Sequence, residues 1–441
     1  MPLTLNDWLE LLESRHPKSI ELGLQRCSEV WKRMGSPQPS ARIFTVAGTN
    51  GKGSTVAYLC GMLQEFGYSF GCYTTPHLLS YNERIQINGT NCDDEQLIAA
   101  FERIEAVRGD ISLTYFEFGT LAAISIMSME KLDFAVMEVG LGGRLDAVNI
   151  LNADCTVVTP IGLDHQEYLG PDREGIGREK AGIFRPGVPV ICGEPHPPAS
   201  VLDRAAALGA PLRRLAHDFE VIPEGTGLRF RTGERAFLLP SPVMRGEHQV
   251  NNMATAVAAF LELLPAAGNS VELLSRGLQK VTLAGRMQQL SERPQIWVDV
   301  GHNPLAAEVI AQVLAKTLED RPGGICHCVI GMLADKDAAS VAERLGTLVS
   351  SWYCVGLPGP RGQTGRQLAG LIKPVLEHNR ISTCDDVASA LERVLDVCLP
   401  ADCVLVFGSF LTASGAIAWW QQFESAPAKR SFPKTPGVCA L

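Results

Sequence analysis

The stretch FTVAGTNGKGST, residues 44–55, decides the fold of the first part of the chain. The apolar, β-branched segment 42–47 predicts a strand, and the apolar side chains from Ser54 onward recur at helical spacing. Between the two, three glycines surround Lys52. Glycine turns let backbone N–H groups approach an anion closely, and the following helix adds a partial positive charge at its N-terminus. The stretch therefore predicts a phosphate-binding loop.

This loop departs from the general G-x-x-x-x-G-K-[ST] pattern of phosphate loops at two positions. Val46 stands where the pattern has glycine, and Gly53 stands where it has serine or threonine. Glycine turns between a strand and a helix are common, so this segment alone leaves a purely structural turn as an alternative. A nucleotide site has to be supported by the rest of the chain.

Strand-like segments that alternate with helical patterns continue after the loop. They lie at 70–75, 132–140, 154–162 and 188–193. Apolar strands separated by helices predict a parallel sheet that is covered on both faces. Short polar–apolar alternation over about 211–245 predicts a small antiparallel insertion.

The length of 441 residues exceeds one ordinary core, and a second strand–helix series begins near residue 295. We place the boundary of two domains in the segment 284–294. This gives a first domain over 1–286 and a second domain over 287–425. The remaining residues, 426–441, are expected to form a flexible tail.

Composition excludes several function classes. The net charge of -9 argues against long nucleic acid as the main partner. No uninterrupted apolar run reaches the roughly 18 residues of a membrane span. The 13 cysteines lack paired C-x-x-C spacing, which indicates free thiols and a reducing cytoplasm. The triplet CHC at 326–328 lies in an apolar run, where alternate residues face opposite sides of a strand, so no metal site is expected there.

Polar residues follow two of the predicted strands. Glu138 ends one apolar run, and Asp164 and His165 follow the next. The carboxyl ends of parallel strands form the ligand-binding edge of open α/β sheets, where a carboxylate suits magnesium. If the two strands are neighbours, these side chains lie together. A helix cap remains an alternative for Glu138, and a structural role remains one for His165.

Lys180 is followed by the small, apolar stretch AGIF, which should be partly buried. A buried lysine needs an anionic partner, a lowered pKa or chemical modification. A phosphate ligand would satisfy it. Carbamylation by CO2, which turns the amine into a carboxylate, would do so as well. The residues themselves leave both possibilities open.

Two strand-to-helix turns in the second domain carry polar side chains. Asp299, His302 and Asn303 lie in DVGHNP, and Ser409 lies in VFGSF. These side chains could contact an anion or an amine. They could equally cap the helices that follow.

Nine segments between residues 46 and 410 together carry a resemblance to a known family. They are VAGTNGKGST, TTPHL, YNERI, SLTYFEFGT, EVGLGGRLDAVN, LDHQEYLGPDREGIGREKAGIF, DVGHNPLAA, IGMLADKD and LVFGSF. The ordered set resembles the folylpolyglutamate synthase and dihydrofolate synthase family, which are ATP-dependent amide ligases related to the Mur ligases. TYFEFG and LGPDR are similar to the bifunctional bacterial branch.

The resemblance implies an α/β fold of two Mur-ligase-like domains. The first would be a P-loop ATPase domain on a parallel sheet, and the second a smaller Rossmann-like α/β domain that binds glutamate. The departures at Val46 and Gly53 would then be this family's own form of the loop.

The resemblance also implies site residues. The nucleotide contacts would be Thr49, Asn50, Gly51, Lys52, Gly53, Ser54, Asn252, Arg286 and Asp299. The metal ligands would be Thr75, Glu138, His165 and Lys180 as a carbamate. Four of these residues would be catalytic: Lys52, Glu138, His165 and Lys180.

Further residues would bind the two organic substrates. The pteroate-binding residues would be Glu21, Leu22, Gly23, Thr114, Tyr115, Phe116 and Glu117, and many relatives have Asp where Glu21 stands. The incoming glutamate would lie near His302 and Ser409.

The implied reaction uses ATP and magnesium, with two metal sites, to activate a carboxylate as an acyl phosphate. The amino group of L-glutamate then attacks the acyl carbon. The implied substrates are dihydropteroate, tetrahydrofolate and its polyglutamates, and the protein would be a cytoplasmic monomer. Three alternatives remain: a monofunctional folylpolyglutamate synthase, a Mur-type ligase of nucleotide-linked peptides, and an ATP-binding regulatory module without chemistry.

Overall fold

The computed structural model describes residues 3–16, 18, 20–376 and 379–425. The predicted flexible tail, 426–441, lies outside the described residues. Two compact units make up the described chain. The first runs to residue 243 and resumes over 248–282, and the second comprises 244–247 and the residues from 283 onward. The division thus falls at 282 rather than at the predicted 286.

The first unit contains eleven strands among its described residues. They are β1 Arg42–Ala47, β2 Phe70–Tyr73, β3 Ile85–Ile87, β4 Thr90–Asn91, β5 Phe134–Glu138, β6 Cys155–Val158, β7 Val190–Cys192, β8 Leu212–Arg214, β9 Phe219–Glu224, β10 Gly227–Thr232 and β11 Arg235–Pro240.

Ten α-helices accompany these strands in the described part of the unit. They are α1 Leu5–Arg15, α2 Gln25–Arg33, α3 Lys52–Glu65, α4 Asp94–Arg108, α5 Tyr115–Ser128, α6 Gln166–Leu169, α7 Arg173–Lys180, α8 Ala199–Leu208, α9 Glu247–Leu263 and α10 Val271–Gln279.

Eight strands form the main sheet in the order β4-β3-β2-β5-β1-β6-β7-β8. Strands β2, β5, β1, β6, β7 and β8 are parallel, and β3 and β4 add an antiparallel edge. The residues of β5 and β6 are buried throughout, because helices cover both faces of the parallel sheet. The prediction of a covered parallel sheet is confirmed.

The antiparallel insertion is smaller than the sequence pattern predicted. Strands β9, β10 and β11 form a separate three-stranded antiparallel sheet over Phe219–Pro240. Leu212–Arg214, which falls inside the predicted insertion 211–245, instead pairs in parallel with β7 at the edge of the main sheet. Strand β8 has the same alternation of polar and apolar residues as the insertion, so this alternation alone did not distinguish the two.

The second unit is built on one six-stranded sheet. Its strands are β12 Gln288–Glu292, β13 Gln295–Val298, β14 Cys326–Ile330, β15 Val349–Val355, β16 Arg380–Cys384 and β17 Cys403–Phe407, and its helices are α11 Pro304–Glu319, α12 Ala338–Leu345, α13 Gly365–Ile372, α14 Val387–Leu395 and α15 Phe410–Ser425. The strand order is β12-β13-β17-β14-β15-β16, and β12 alone runs antiparallel to its neighbour. This is the predicted second α/β domain.

Neither unit offers a transmembrane segment in its described residues, where every helix is too short or too polar to cross a bilayer. The cysteines of the described chain are all free thiols, most of them buried. This agrees with the prediction of unpaired cysteines.

Candidate active site

The strand order of the main sheet determines where the predicted site residues lie. Strand β1 pairs with β5 on one side and with β6 on the other, so β5 and β6 are not neighbours. The condition under which Glu138 and His165 would lie together, that their strands are neighbours, is therefore not met. The glycine loop after β1 instead lies between the carboxyl end of β5, where Glu138 stands, and the segment after β6 that leads to His165.

The phosphate loop owes its shape to two glycines. Gly51 is in the left-handed region at φ 86° and forms the N-cap of α3, so the helix begins at Lys52 rather than at the predicted Ser54. A methyl group on Gly48 would overlap Thr159 Oγ1, and one on Gly51 would overlap Asn252 Oδ1. Both glycines are therefore required by close contacts as well as by backbone conformation.

We expect Gly51→Ala to destabilise the unit by more than a backbone effect alone. A left-handed alanine costs about 1–2 kcal/mol, and the overlap with Asn252 adds about 1–3 kcal/mol. Gly67, near the other end of α3, is a matched control, because it has φ 74° and no neighbouring atom within 4 Å of an added methyl group. Urea unfolding of both variants tests this difference. Equal losses in the two variants would show that Asn252 does not restrict the loop.

Two lysines converge on the loop. Lys52 Nζ donates hydrogen bonds to the carbonyl oxygens of Gly48 at 3.1 Å and Thr49 at 3.2 Å. Lys180 Nζ donates to the same Gly48 carbonyl oxygen at 2.8 Å. Lys180 is only 3% exposed, and burial, reinforced by the charge of Lys52, lowers its pKa from 10.5 to about 7. The predicted burial of Lys180 is confirmed, and its amine lies beside the predicted phosphate site.

Other loop residues are tied to their surroundings. The Thr49 hydroxyl donates to the Gly162 carbonyl oxygen at 3.1 Å and accepts from its N–H group at 3.1 Å, which fixes the loop against the segment after β6. Gln249 donates to the Ser54 hydroxyl at 3.3 Å and accepts from Asn252 at 3.3 Å. The structure thus brings Asn252 close to Gly51 of the loop, and its contact with the nucleotide stays a prediction. The sequence did not mark Gln249.

Two predicted metal ligands lie together on the β5 side of the loop. Thr75 follows β2, which pairs with β5, and its N–H group lies 3.4 Å from Glu138 Oε2. Glu138 is buried. The Thr75 hydroxyl also accepts a hydrogen bond from Arg84 at 3.2 Å. Hydroxyl and carboxylate oxygens are ligands that magnesium and manganese accept, so this pair fits such an ion.

His165 lies on the other side of the loop. It has a left-handed backbone at φ 51° and precedes α6, and its N–H group donates to Asp164 Oδ1 at 2.9 Å. About a quarter of its side chain is exposed. Three of the four predicted ligands therefore flank the loop, with Thr75 and Glu138 on one side and His165 on the other. The fourth, Lys180, contacts the loop itself at the Gly48 carbonyl oxygen.

The predicted residues of the second unit lie at the carboxyl ends of β13 and β17, which are paired neighbours. Asp299 accepts hydrogen bonds from the N–H groups of Met287 at 2.8 Å and Gly301 at 2.7 Å. Burial raises its pKa, and the charge of Arg286 opposes that rise. His302 Nδ1 lies 3.0 Å from the Val300 carbonyl oxygen.

Ser409 and Asn303 act as helix caps. Ser409 Oγ accepts from the Thr412 N–H group at 3.0 Å in the first turn of α15 and is buried. Asn303 Oδ1 accepts from the Ala306 N–H group at 2.9 Å at the start of α11. The cap interpretation of these side chains is confirmed, and a contact of Ser409 with glutamate stays a prediction.

Comparison with known proteins agrees with this arrangement. Residues 46–191 match the Mur ligase middle domain, and residues 285–410 match the Mur ligase, glutamate ligase domain. A dihydrofolate synthase/folylpolyglutamate synthase of Escherichia coli K12 is 44% identical over 414 residues, which cover 93% of this chain and 94% of that protein. The chain belongs to the dihydrofolate synthase/folylpolyglutamate synthase family. It is an ATP-dependent glutamate ligase of the Mur ligase group, as the sequence predicted.

Solved structures of the dihydrofolate synthase/folylpolyglutamate synthase family share the fold. E. coli FolC in complex with DHPP and ADP is 41% identical, with a TM-score of 0.88 and coverage of 96% of this chain and 99% of that one. A bifunctional folylpolyglutamate synthase/dihydrofolate synthase of Yersinia pestis, complexed with AMPPNP and a Mn ion, is 42% identical, with a TM-score of 0.86 and coverage of 94% and 98%. The predicted two-domain Mur-ligase-like fold is confirmed.

Arg26, which the sequence did not mark, joins the two predicted pteroate-binding segments. Arg26 forms ion pairs with Glu21 at 3.3 Å and with Glu117 at 3.1 Å, and also donates to the Glu21 carbonyl oxygen at 2.8 Å. Gly23 N–H donates to the Leu145 carbonyl oxygen at 3.3 Å, which holds the first segment against the turn after β5. The structure thus brings the two segments together around one guanidinium group.

The second of these segments also starts a helix. Thr114 is the N-cap of α5, and its hydroxyl accepts from the Glu117 N–H group at 3.2 Å while Glu117 accepts from the Thr114 N–H group at 2.8 Å. Tyr115 stacks edge-on against Tyr81 with ring centroids 5.7 Å apart. A methyl group on Gly140 would overlap the ring of Phe116. These residues have a structural role beside any substrate contact.

Asp146 is a buried acid that sequence reasoning also missed. It accepts hydrogen bonds from the N–H groups of Leu141 at 2.9 Å and Val148 at 3.0 Å, which folds the glycine-rich turn after Glu138. Burial raises its pKa to about 7, and the charge of Lys52 opposes that rise. The signal available in the sequence was an aspartate inside LGGRLDAVN, where a glycine-rich turn needs an acceptor for its N–H groups.

Proposed function

We propose that this chain joins L-glutamate to dihydropteroate, which gives dihydrofolate, and adds further glutamates to the γ-carboxylate of tetrahydrofolates. One observation carries the proposal: Lys52 and Lys180 meet at the Gly48 carbonyl oxygen, between the strand end of Glu138 and the segment of His165. Cationic groups and the proposed metal ligands would thus surround a loop whose glycine turns suit phosphate.

The chemistry begins with a carboxylate, which is a poor electrophile at neutral pH. Transfer of the γ-phosphoryl group of ATP to the carboxylate forms an acyl phosphate and releases ADP. The amino group of L-glutamate then attacks the acyl carbon, phosphate leaves, and an amide bond and a proton result. Groups that neutralise the phosphate oxygens during transfer supply most of the catalysis in such reactions.

The proposed nucleotide contacts follow the loop. Backbone groups and side chains of residues 49–54 would hold the triphosphate, with Lys52 as the point charge and Asn252 against Gly51. Arg286 and Asp299 are proposed as further nucleotide contacts on the resemblance. The ADP and AMPPNP in the related structures support an adenine nucleotide as the ligand of this chain.

Divalent ions are proposed at two positions. Thr75 and Glu138 would hold one, and His165 would contribute to the other, because the two groups flank the loop on opposite sides. When bound, such an ion neutralises charge on the phosphate oxygens. The Mn ion in the Yersinia pestis relative supports divalent-metal binding, and magnesium is the proposed physiological ion.

Lys180 is proposed to carry a carbamate. Its buried amine lies beside a second cation, Lys52, and two adjacent positive charges disfavour each other. Reaction of the neutral amine with CO2 forms an N–C bond, releases a proton and leaves a carboxylate. That change would convert a repulsive neighbour of Lys52 into an attractive one.

The two organic substrates have proposed contacts in separate segments. The pteroate part would lie near Glu21–Gly23 and Thr114–Glu117, which Arg26 brings together. His302 and Ser409 are proposed near the incoming glutamate. The match of residues 285–410 to the glutamate ligase domain supports that assignment.

A substrate panel tests the function. ADP release is measured with ATP and L-glutamate in the presence of dihydropteroate, tetrahydrofolate or a UDP-muramoyl substrate in turn. We expect release with the first two and none with the third. Release with tetrahydrofolate alone would show a monofunctional folylpolyglutamate synthase. Absence of release with all three, in a chain that binds ATP, would favour a regulatory module.

The Glu138→Gln variant should require more magnesium. Loss of one anionic ligand weakens a metal site, and we expect the magnesium concentration for half-maximal activity to rise by about 10–100-fold. A magnesium titration of ADP release measures this. Glu130→Gln, which removes an exposed carboxylate instead, is the matched control. An unchanged titration in Glu138→Gln would remove Glu138 from the metal site.

A further inference from the structure

The second unit contains a buried cluster of three potential metal ligands that the ligase reaction does not use. His327, Cys398 and Asp402 each offer one ligand atom, and these atoms all lie within 4.8 Å of one another. All three residues are buried. Their positions in the chain show none of the regular spacing by which zinc sites are found in sequences, because His327 lies in β14 and the other two flank the turn before β17.

His327 is buried without a hydrogen bond to its ring, which is unusual for a polar side chain. It is 4% exposed, and neither of its ring nitrogens has a hydrogen-bond partner. Asp402 Oδ2 lies 3.6 Å from His327 Nε2. This is too long for a hydrogen bond. A buried polar group without a partner costs about 1–3 kcal/mol, so such groups are rare in folded proteins.

The same distance suits two ligands of one metal ion. Nitrogen and oxygen ligands that lie 2.0–2.2 Å from a tetrahedral zinc ion are separated from each other by roughly 3.4 Å. The 3.6 Å between His327 Nε2 and Asp402 Oδ2 is close to that value. A thiolate from Cys398 completes a set of nitrogen, oxygen and sulfur ligands, which zinc and cobalt accept and magnesium does not.

Asp402 is held in place by other bonds and keeps free acceptor capacity. Its Oδ1 accepts from the Ile325 N–H group at 2.9 Å, and its Oδ2 accepts from the Leu399 N–H group at 2.8 Å. A carboxylate has about four lone-pair sites, so two hydrogen bonds leave room for a metal. These bonds orient the carboxylate and fold the turn that carries Cys398, as outer-shell contacts do in metal sites.

The cluster lies away from the predicted substrate contacts of its unit. Cys398 and Asp402 precede β17, and His327 is near the start of β14. Asp299, in contrast, follows the carboxyl end of β13, and Ser409 follows that of β17. Since these strands are parallel, the cluster and the predicted glutamate contacts lie at opposite edges of the sheet.

We propose that His327, Cys398 and Asp402 form a site for one divalent transition-metal ion of the zinc class. Binding would displace the Cys398 thiol proton into solvent and form a sulfur–metal bond. Three protein ligands leave one position of a four-coordinate ion for a water molecule. The ion would join the turn before β17 to strand β14. The proposal departs from the prediction that CHC at 326–328 binds no metal only for its histidine, since Cys326 and Cys328 alternate with it along the strand.

Cobalt substitution tests the site directly. The full chain, without an affinity tag, is dialysed against a chelator and then titrated with Co²⁺. We expect one thiolate-bound ion per chain, counted by a thiolate-to-cobalt charge-transfer absorption in the near ultraviolet. Ions at the two positions proposed around the phosphate loop have oxygen and nitrogen ligands and lack this absorption. Cys398→Ser should lose the absorption, and His327→Leu should lose tight binding of the thiolate-bound ion. Cys354→Ser, which removes a buried thiol from strand β15 outside the cluster, should keep both.

Thermal unfolding with and without Zn²⁺ gives a second measurement. The wild-type chain and Cys354→Ser should gain stability with zinc, and His327→Leu should not. If wild-type protein binds no Co²⁺ with thiolate character, or if Cys398→Ser retains the absorption, the proposal is wrong. In the absence of a metal site His327→Leu should be more stable than wild type under all conditions, because it removes an unpaired buried polar group. That result would also overturn the proposal.

Discussion

Lys52→Ala should reduce the turnover number of glutamate ligation by about 10²–10³-fold, the usual effect of removing one charged group from a phosphoryl-transfer site. The lysine is held by the carbonyl oxygens of Gly48 and Thr49 and is only partly buried. Because these contacts join residues of one short turn, we expect its loss to change the free energy of unfolding by less than about 1 kcal/mol. ADP release and urea unfolding of the same preparation measure the two effects.

The control is Lys280→Ala. Lys280 is an exposed lysine that pairs with Glu65 at the other end of α3. Its replacement by alanine therefore removes one positive charge without changing the loop. Its turnover should match that of the wild type. Normal ADP release in Lys52→Ala would refute the assignment of the phosphate loop. Equal loss in both variants would indicate a general effect of charge on the protein.

The sequence was sufficient for the parts of the site that depend on local pattern. The strand, glycines and lysine of the loop lie next to each other in the chain, and the left-handed Gly51 is required by the turn itself. Lys180 could be predicted as a site residue because the small, apolar stretch after it indicates burial, and a buried lysine needs an anionic partner, a lowered pKa or modification. The helix caps at Asn303 and Ser409 could also be predicted from local pattern, because each polar side chain stands directly before a helix.

The parts that the sequence could not give depend on pairing between distant segments. The position of β1 between β5 and β6 places the loop between Glu138 and His165, and strand order is set by packing rather than by the composition of each strand. Arg26 contacts two acids, one of which is far along the chain. The sequence shows His327 only as one residue of an apolar strand. The lack of hydrogen bonds at its ring nitrogens and the closeness of Asp402 depend on the fold.

Lys180→Ala should also reduce turnover strongly, by about 10²-fold or more, and short carboxylic acids such as acetate should restore part of it. The alanine leaves space beside Gly48 where the lysine amine lay, and a small carboxylate could enter it. Lys180→Met is the matched variant, because it fills the same space without a charge. We expect acetate to have no effect on Lys180→Met or on Lys52→Ala.

The same panel separates the two roles that the buried lysine could have. Recovery of Lys180→Ala by alkylammonium ions instead of carboxylates would show that the working group is a cation. ¹³C NMR in bicarbonate-enriched buffer adds an independent measurement, with a carbamate signal expected in the wild type and absent from Lys180→Met. A wild-type enzyme that is active without such a signal would exclude the carbamate.

Stability should change in the opposite direction from activity at this position. A pKa lowered to about 7 means that the neutral form of the unmodified Lys180 amine is well populated near neutral pH, because burial and the charge of Lys52 oppose the charged form. The wild type therefore carries a cost that Lys180→Met removes, and we expect this variant to unfold at no lower temperature than the wild type. Loss of turnover in a chain that is equally stable or more stable would place Lys180 among the groups that are retained for chemistry at the expense of folding.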